Sequence, residues 1–402
     1  STQCAITPSA DDMRIGIDIR VADPAEGQQR MLWRLGSWLG QEGHEVDFLS
    51  VRRLPEDVAL PKGTRLQPLH DVPRSQLRDR VAALKLDAFL INPERSRRYR
   101  GVPANVLRAA YGTEHYRQNL RSVRNPVERT LREVSRLAPW TRADLRWERA
   151  FYERPRPQPD IVCQSQYMKD LILGSYRIPE DHIHIVPNAI DTAEYNPQRR
   201  AELREEMRVA WGIPPEAVCL LFLGHNFRRK GLWQLLETLP GVGTTDRPLH
   251  VIVAGRGTGD RQRHRAAALV RSHGLKGRVH LVGPVQPAIH ALAAADVLVF
   301  LSWHDAFGWV ALEAMGCGVP VIGTPYAGSS ELIQDGETGL IVDPANTDDI
   351  ASAVRSLLDD EIRQKMGRAA ATVAARYEET DYFRAVLDIM KVASDRTAGP
   401  LG

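Results

Sequence analysis

Residues 296–324 have the sequence DVLVFLSWHDAFGWVALEAMGCGVPVIGT, which predicts a strand, a loop, a helix and a second strand in that order. The apolar run ending at Ser302 is typical of a strand buried on both faces, and the loop after it contains Asp305. Gly308 begins the helix, which carries Glu313 on its first turns. Carboxylates in these positions suit the recognition of sugar hydroxyls, and the N–H groups at a helix N-terminus suit a phosphate.

Strands and helices alternate on both sides of this stretch. In the first half, short apolar strands are predicted at 14–21, 46–51, 87–91, 106–111, 160–164 and 183–186. In the second half, the predicted strands are 218–224, 250–255, 278–283, 296–302, 319–324 and 339–342. A polar, charged stretch at 194–208 lies between the two halves.

The alternation predicts two α/β domains, each built on a doubly wound parallel sheet. We expect a first domain at 13–190 and a second at 210–378, with a C-terminal helix at about 379–398 that packs back on the first. Residues 1–12 lack periodicity and predict a disordered tail. Two such domains place a cleft between the carboxyl ends of two sheets, where open α/β sheets bind ligands.

The composition of the 402 residues is that of an ordinary globular protein, with 43% hydrophobic and 26% charged residues. No apolar run approaches the roughly 20 residues that a membrane span needs. The four cysteines lie far apart without a CxxC, which favours reduced thiols and excludes a zinc site built from cysteine alone. No basic leader with an apolar segment begins the sequence, so we expect a cytoplasmic protein, peripheral at most to the inner face of a membrane.

The charge is unevenly distributed. Residues 1–190 contain 30 Lys and Arg against 24 Asp and Glu, a net charge of +6, and the remainder has a net charge of −3. Within the first half, residues 95–156 contain 16 arginines, no lysine and six acids. Such a segment is either a solvated helical face or a surface for an anionic partner.

Four motifs resemble those of the retaining nucleotide-sugar glycosyltransferases of family 4, which have the GT-B fold. The segment from Asp305 to Glu313 resembles the family's E-x7-E signature, with Asp305 in place of the first Glu, which shortens the reach of that carboxylate by one methylene. The other motifs are VPNAID at 186–191, LFLGHNFRRKG at 221–231 and ELIQDGETGLIVDP at 331–344. They occur in the family's order over roughly residues 183–345.

The resemblance implies roles for residues of the second domain. Asp305 and the backbone of Gly308, Trp309 and Val310 would bind the hexose of the donor, and Glu313 would bind its ribose hydroxyls. Lys230, with Arg228 or Arg229, would neutralise the diphosphate, for which their charges are suited. Taken singly, Glu313 could be a solvated helix residue, and the RRK sequence could be an exposed basic turn.

Weaker signals complete the expected site. The resemblance places Gly255 and Val285 beside the nucleotide, Gly27 at a helix N-terminus that faces the phosphates, and His115 near the reacting sugar. His115 could equally be a structural histidine. The sequence AGRGTGD at 254–260 is not a dinucleotide fingerprint, because Asp260 replaces the third glycine and no acid follows about 20 residues later.

No metal or other cofactor is expected. The sequence has no D-x-D, which argues against the glycosyltransferases that bind a divalent metal. His182 and His184 flank Ile183, but nothing in the sequence supplies the remaining ligands of a metal site, so we interpret them as structural.

The segment 111–191 is similar to the lipopolysaccharide-core heptose glucosyltransferases, which use UDP-glucose at the cytoplasmic membrane face. The sequence therefore predicts a retaining hexosyltransferase that moves a hexose, glucose by this resemblance, from a UDP-sugar to a saccharide or lipid-linked acceptor. One alternative is another GT-B enzyme, an epimerase or a glycogen synthase-like polymerase. A basic nucleic-acid-binding protein is a second alternative, but it leaves the second-half motifs unexplained, so no nucleic-acid partner is expected.

Residues 126–153 predict a helix that lies on an anionic membrane surface. An apolar helical face runs beside several arginines, the combination that suits an interfacial helix. The apolar face consists of Val127, Leu131, Val134 and Leu137, and the arginines are Arg129, Arg132, Arg136 and Arg142. The alternative is that the apolar face packs on the first domain and the arginines are merely solvated.

Overall fold

The computed structural model contains two parallel sheets, one in each half of the chain. It describes residues 12–19, 27–54, 60–92, 99, 102–109, 122–123, 126–135, 138–153, 157–243, 246–257 and 259–397. The N-terminal residues 1–11 and the segment around His115 lie outside this description, so the predicted tail and the predicted role of His115 remain predictions.

The first sheet has seven parallel strands in the order β3-β2-β1-β4-β5-β6-β7. Ile15 of the interior strand β1 lies opposite Val46 on one side and Ala88 on the other, and all three side chains are buried. The strands are β1 Arg14–Asp18, β2 Glu45–Ser50, β3 Thr64–Pro68, β4 Ala88–Ile91, β5 Val106–Arg108, β6 Asp160–Cys163 and β7 Ile183–Ile185.

Helices cover the first sheet. Leu35 and Leu39 of the first helix are fully buried, and Trp33 of the same helix packs its ring 4.8 Å from that of Phe48 in β2. The helices of this half are α1 Gly27–Gln41, α2 Leu77–Ala82, α3 Pro126–Ser135, α4 Pro139–Glu153 and α5 Gln166–Ser175.

The second sheet has six parallel strands in the order β10-β9-β8-β11-β12-β13, the order of a dinucleotide-binding fold. Its strands are β8 Val218–Leu223, β9 Leu249–Ala254, β10 Val279–Gly283, β11 Val297–Val299, β12 Val321–Gly323 and β13 Gly339–Ile341. The helices are α6 Pro197–Ala210, α7 Leu232–Val242, α8 Asp260–Ser272, α9 Ala288–Ala294, α10 Trp309–Gly316, α11 Thr347–Ser356 and α12 Asp360–Ala374. The predicted fold class, two doubly wound parallel sheets, is confirmed.

Strand β3 and helix α6 were not predicted, for different physical reasons. Strand β3 is a half-exposed edge strand whose sequence TRLQP has no apolar run. Helix α6 is strongly polar, and its start is fixed by a cap, because the Asn196 side chain accepts a hydrogen bond from Arg199 N at 2.8 Å. Hydrophobic periodicity carries no signal for either element.

The chain passes between the two halves twice. The first passage follows β7, where Ile190 N donates to Tyr377 O at 2.9 Å and so contacts the second passage directly. The second passage leads into α13, Glu379–Thr397, which packs on the first sheet with Tyr382 and Met390 buried. The hydroxyl of Tyr382 accepts a hydrogen bond from Arg108 Nε of β5 at 3.2 Å.

His182 and His184 converge on a buried acid. His184 Nε2 lies 2.6 Å from Asp160 Oδ1, and His182 Nδ1 lies 3.8 Å from the same oxygen. Arg396 of α13 donates to this oxygen at 2.8 Å. These contacts join the C-terminal helix to the first domain, which is a structural role for His182 and His184.

The fold determines where a ligand site forms in the second domain. Strands β8 and β11 are neighbours in the sheet but not in sequence, so the chain leaves them in opposite directions and opens a crevice at their carboxyl ends. The loop that contains Lys230 follows β8, and Asp305 follows β11. The topology therefore brings these two motifs together.

We predict that Gly231→Ala destabilises the protein more than Gly212→Ala does. Both glycines have left-handed backbones, with φ of 79° and 64°. A Cβ at position 231 would lie 2.2 Å from the carbonyl oxygen of Leu301, whereas one at position 212 would meet nothing within 4 Å. We expect Gly212→Ala to cost about 1–2 kcal/mol from backbone strain alone, and Gly231→Ala roughly twice that or more. Urea denaturation measures both, and equal losses would show that the loop can move away from Leu301.

Candidate functional site

The loops after β8 and β11 are held together by hydrogen bonds. Trp303 N donates to Arg229 O at 2.9 Å, and the Arg229 guanidinium donates to His304 O at 2.6 Å. These hydrogen bonds hold the loop after β8 against the loop after β11. They thereby position the side chains of Lys230 and Asp305, which come next in the two loops.

A buried cluster of three charges lies between these loops. The Asp305 carboxylate accepts a hydrogen bond from Lys230 Nζ and lies 3.4 Å from Arg229 Nη1. Lys230 Nζ also lies 4.6 Å from the centre of the Phe300 ring, a cation–π contact. The side chains of Asp305 and Lys230 are only 6% and 12% exposed, so the cluster is nearly dry and has a net charge of +1.

The pKa values of Asp305 and Lys230 depend on their burial and on the attraction between their charges. Burial alone would raise the pKa of Asp305, but Lys230 and Arg229 outweigh it and hold that pKa below its usual range. Burial lowers the pKa of Lys230, and the negative charge of Asp305 opposes that shift. The Asp305 carboxyl is therefore ionised at neutral pH.

The Asp305 loop is anchored on both sides. Asp305 N donates to Tyr326 O at 2.9 Å, and Gly328 N donates to Asp305 O at 3.2 Å. From the first domain, Ser165 Oγ donates to Ala306 O at 3.1 Å. Since Ser165 follows β6 and Ala306 follows β11, this bond shows that the carboxyl ends of the two sheets face each other.

Gly308 determines how helix α10 begins. Its φ is 91°, and a Cβ there would lie 2.5 Å from Cζ of Phe300. Only glycine therefore allows the loop to turn into the helix at this point. The N–H groups of residues 308–310 are among the first-turn donors that have no acceptor within a helix, which suits the backbone role predicted for them.

The side chain of Trp309 belongs to the domain junction rather than to a sugar pocket. Its indole Nε1 donates to Ala189 O at 3.1 Å, and its ring lies 5.3 Å from the Arg108 guanidinium of β5. Val310 is half-buried beside it. The donor role predicted for the backbone of these two residues stays a prediction.

Glu313 lies in the second turn of α10 and is buried, so the solvated-helix alternative is wrong. Its Oε1 accepts a hydrogen bond from Arg30 Nη2 of α1 at 2.7 Å, and Arg30 Nη1 donates to the Tyr195 hydroxyl at 3.2 Å. Burial raises the pKa of Glu313, although Arg30 acts to lower it. No sequence pattern indicated Arg30 or Tyr195, because their pairing is a tertiary contact between residues far apart in the chain.

A second ion-pair group lies one turn further along α1. Arg34 contacts Asp191 Oδ2 at 2.8 Å and Glu379 Oε2 at 2.6 Å. Asp191 ends the VPNAID motif and Glu379 begins α13, so Arg34 binds both passages between the domains. Burial raises the pKa of Glu379 to about 7, against the effect of Arg34.

The remaining candidate residues lie near these elements. Gly255 N donates to Gly283 O at 2.7 Å, joining the loops after β9 and β10, and Val285 is partly buried just beyond. Arg228 is half-buried in the loop with Lys230. Gly27 begins α1, three residues before the arginine that contacts Glu313. Of the predicted residues, the structure brings Asp305, Lys230 and Arg229 into direct contact.

Neither a metal cluster nor a membrane span is found in the part of the chain that the structure describes. No group of three His, Cys, Asp or Glu side chains there could hold a metal ion. None of the described helices has the length and apolar character of a membrane span.

Each half of the chain matches a glycosyltransferase family. Residues 25–194 match the family described as Glycosyltransferase Family 4, and residues 203–373 match the family described as Glycosyl transferases group 1. The resemblance seen in the sequence motifs is thus found independently in both halves.

Solved structures share the fold over nearly the whole chain. WaaG, a glycosyltransferase involved in lipopolysaccharide biosynthesis, superposes with a TM-score of 0.73 at 20% identity, over 94% of this chain and 99% of that one. Anabaena Alr3699/HepE in complex with UDP-glucose gives a TM-score of 0.72 at 16% identity, over 94% and 100%. These likenesses confirm the predicted GT-B fold.

Relatives by sequence are described as D-inositol 3-phosphate glycosyltransferases. That of Acidothermus cellulolyticus is 30% identical over 240 residues, 56% of this chain and 52% of that protein. That of Pseudarthrobacter chlorophenolicus is 34% identical over 236 residues, 57% and 55%. The chain thus spans about half the length of these relatives in the alignments. The predicted similarity to lipopolysaccharide-core enzymes is matched in fold by WaaG, whereas these sequence relatives have a different acceptor in their names.

We predict that Glu379 makes the stability of the protein fall as the pH rises from about 5 to 7. Its folded-state pKa of about 7 lies above the ordinary value, so the folded state binds the proton more tightly than the unfolded chain does. The free energy of unfolding should therefore fall, relative to Glu379→Gln, by up to about 1.4 kcal/mol per pH unit in this window. Urea denaturation across the window measures it, with Asp381→Asn, an exposed acid on the same helix, as the control. Parallel curves for the parent and Glu379→Gln would contradict the prediction.

Proposed function

We propose that this chain is a hexosyltransferase that uses a nucleoside-diphosphate sugar. The observation that carries the proposal is the buried cluster of Lys230, Arg229 and Asp305 at the crevice between β8 and β11. A dry site with net positive charge, next to the N-terminus of α10, suits a diphosphate. The glycosyltransferase family matches of both halves support the same activity.

The donor is held mainly by the second domain. Lys230 and Arg229, helped by Arg228, bind the diphosphate, and Asp305 accepts hydrogen bonds from the hexose. Glu313 accepts hydrogen bonds from the ribose diol, while the loops at Gly255 and Val285 border the base. The N-terminus of α1 at Gly27 adds backbone donors to the phosphates.

The chemistry requires stabilisation of the leaving diphosphate. Negative charge develops on that group as the bond to the anomeric carbon breaks, and two cations fixed in a dry site stabilise it by several kcal/mol. Because these side chains supply the positive charge, the proposed reaction needs no metal. We propose retention at the anomeric carbon from the family resemblance, with His115 on the acceptor side.

The proposed donor is UDP-glucose, which is bound in the solved structure of Alr3699/HepE. Two acceptors are supported by different observations. The motif resemblance and the fold of WaaG favour a lipopolysaccharide-core heptose, whereas the sequence relatives favour inositol phosphate. We place the saccharide or glycolipid acceptor first, because the first half of the chain also has a helix with exposed apolar residues, as described below.

The test begins with thermal unfolding in the presence of UDP-, GDP-, ADP- and dTDP-sugars, since a specific ligand stabilises the folded state by mass action. Radiolabelled hexose from the stabilising donor is then offered to heptose-containing core oligosaccharide and to D-inositol 3-phosphate. Labelled acceptor supports the proposal and identifies the acceptor. Free hexose or an epimerised nucleotide sugar as the main product would favour the other GT-B reactions, and binding of RNA without response to any nucleotide sugar would overturn it.

We predict that Lys230→Met lowers turnover by about two orders of magnitude or more, because one charge beside the leaving group is lost. Methionine keeps the length of the side chain, which limits the effect on packing. Lys276→Met, the same change at an exposed turn, serves as the control. Rates of hexose transfer measure the effect, and a rate for Lys230→Met within a factor of three of the parent would remove Lys230 from the site.

We also propose that α3 binds an anionic membrane surface. Two of the apolar residues predicted for its interfacial face, Leu131 and Val134, are 65% and 57% exposed, and the exposed Arg129 precedes them on the same helix. These exposures favour the membrane interpretation over packing on the first domain. Each basic residue near such a surface adds about 1 kcal/mol before screening.

Co-sedimentation with vesicles tests this surface. Binding should occur with anionic vesicles, be weak with zwitterionic ones and fall with added salt. Serine at both Leu131 and Val134, or Arg129→Glu, should weaken it. Val209→Ser, at an apolar residue that is 75% exposed in the second domain, should leave binding unchanged. Equal binding to both vesicle types, or none at low salt, would contradict the proposal and favour a soluble acceptor.

A further inference from the structure

Arg30 contacts Glu313 across the domain junction. Helix α1 belongs to the first domain and α10 to the second, yet the guanidinium and the carboxylate are 2.7 Å apart, with side chains 22% and 6% exposed. The Tyr195 hydroxyl accepts a second hydrogen bond from Arg30 at 3.2 Å, and its ring centre lies 5.7 Å from the guanidinium carbon. The guanidinium is thus fixed from two sides.

Several groups around Glu313 affect whether its carboxylate is ionised, and Arg30 is one of them. Glu194 adds a nearby negative charge that raises the pKa of Glu313, whereas the Tyr195 hydroxyl acts with Arg30 to lower it. The buried Cys317 also lies close enough to interact with the carboxylate. Among the described residues, Arg30 is the cation that the structure shows hydrogen bonded to Glu313. Arg34, one turn further along α1, contacts Asp191 and Glu379 instead.

We propose that Arg30 is a positioning residue for donor binding, which holds the Glu313 carboxylate ionised and oriented so that it accepts hydrogen bonds from the ribose hydroxyls. This inference rests on the proposed function, in which Glu313 contacts the ribose. It adds a side chain of the first domain to a donor site whose other proposed side chains lie in the second.

Arg30 matters because the proposed binding of the ribose hydroxyls requires Glu313 to accept hydrogen bonds. An ionised carboxylate accepts hydrogen bonds at both oxygens, whereas a protonated one uses one oxygen as a donor. Burial raises the pKa of Glu313 and Arg30 opposes this, so removal of Arg30 moves protonation toward neutral pH. The loss of ribose binding should therefore depend on pH, which a simple loss of packing would not produce.

Calorimetry with UDP between about pH 6 and pH 9 tests the role of Arg30. Each variant is compared with the parent at the same pH, because the terminal phosphate of UDP titrates near pH 6. We expect Arg30→Gln to raise Kd about tenfold or more at the acidic end and to approach the parent at the alkaline end. Arg30→Lys, which keeps the charge, should follow the parent profile more closely.

Matched variants separate this role from general damage. Arg65→Gln, at an exposed arginine that pairs with Glu45 and Asp47 of the first sheet, should leave the pH profile of UDP binding like that of the parent. Glu313→Gln should weaken binding by a factor that does not change with pH. Adding Arg30→Gln to it should have little further effect, because the two residues act through one group.

The outcomes distinguish the inference from the proposed function. If the parent binds no nucleotide, the proposed function fails and the role of Arg30 with it. If the parent and Glu313→Gln bind UDP equally, Glu313 does not contact the ribose and the inference is wrong while the enzyme proposal survives. If Arg30→Gln binds like the parent, or more weakly by a constant factor at every pH, Arg30 is not a positioning residue.

Discussion

The buried ion pair of Lys230 with Asp305 is the interaction on which the rest of the site depends. A carboxylate this deeply buried is costly unless it is paired, and removal of either partner would leave the other charge in a dry environment. The pair therefore fixes the loops after β8 and β11 relative to each other, together with the backbone bond from Trp303 to Arg229. Arg229 adds a second cation, so the crevice has positive charge before any anion arrives. Such preorganisation is what a site for a developing negative charge requires.

The fold places this pair where a ligand can reach it. Because β8 and β11 are adjacent but leave the sheet toward different helices, their loops border a crevice instead of a continuous surface. Gly308 then turns the chain so sharply that α10 begins beside the loop. The backbone N–H groups at the start of α10 therefore lie on the same crevice as the two cations. The same helix carries Trp309 into the domain junction and Glu313 toward Arg30. One short helix thus links the donor crevice to the first domain.

The sequence predicted the parts of this arrangement that depend on local pattern. Apolar strands followed by charged loops predicted the two sheets. The family resemblance assigned Lys230 and Asp305 to the same donor, one to its diphosphate and the other to its hexose. The half-exposed edge strand β3 and the polar helix α6 had no apolar pattern and were missed. Arg30 was also missed, since it is one arginine in an amphipathic helix, and nothing local distinguishes an arginine that meets a carboxylate 283 residues away from a solvated one. The local pattern of the sequence thus predicted elements within each domain but not the contacts between the domains.

The two carboxylates of the Asp305–Glu313 motif are neutralised in different ways, and this difference has a functional consequence. Asp305 is paired within its own domain by Lys230 and Arg229, so its charge does not depend on where the first domain lies. Glu313 is paired by Arg30 of the first domain, so its charge and orientation do depend on it. Arg34, on the same helix, binds both chain passages and holds α1 at the junction. A donor that contacts both carboxylates would therefore bind most tightly when the domains have this relative arrangement, and by linkage its binding would favour that arrangement in return. If the proposed function holds, donor binding and the placement of the first domain are coupled through the ion pair of Arg30 with Glu313.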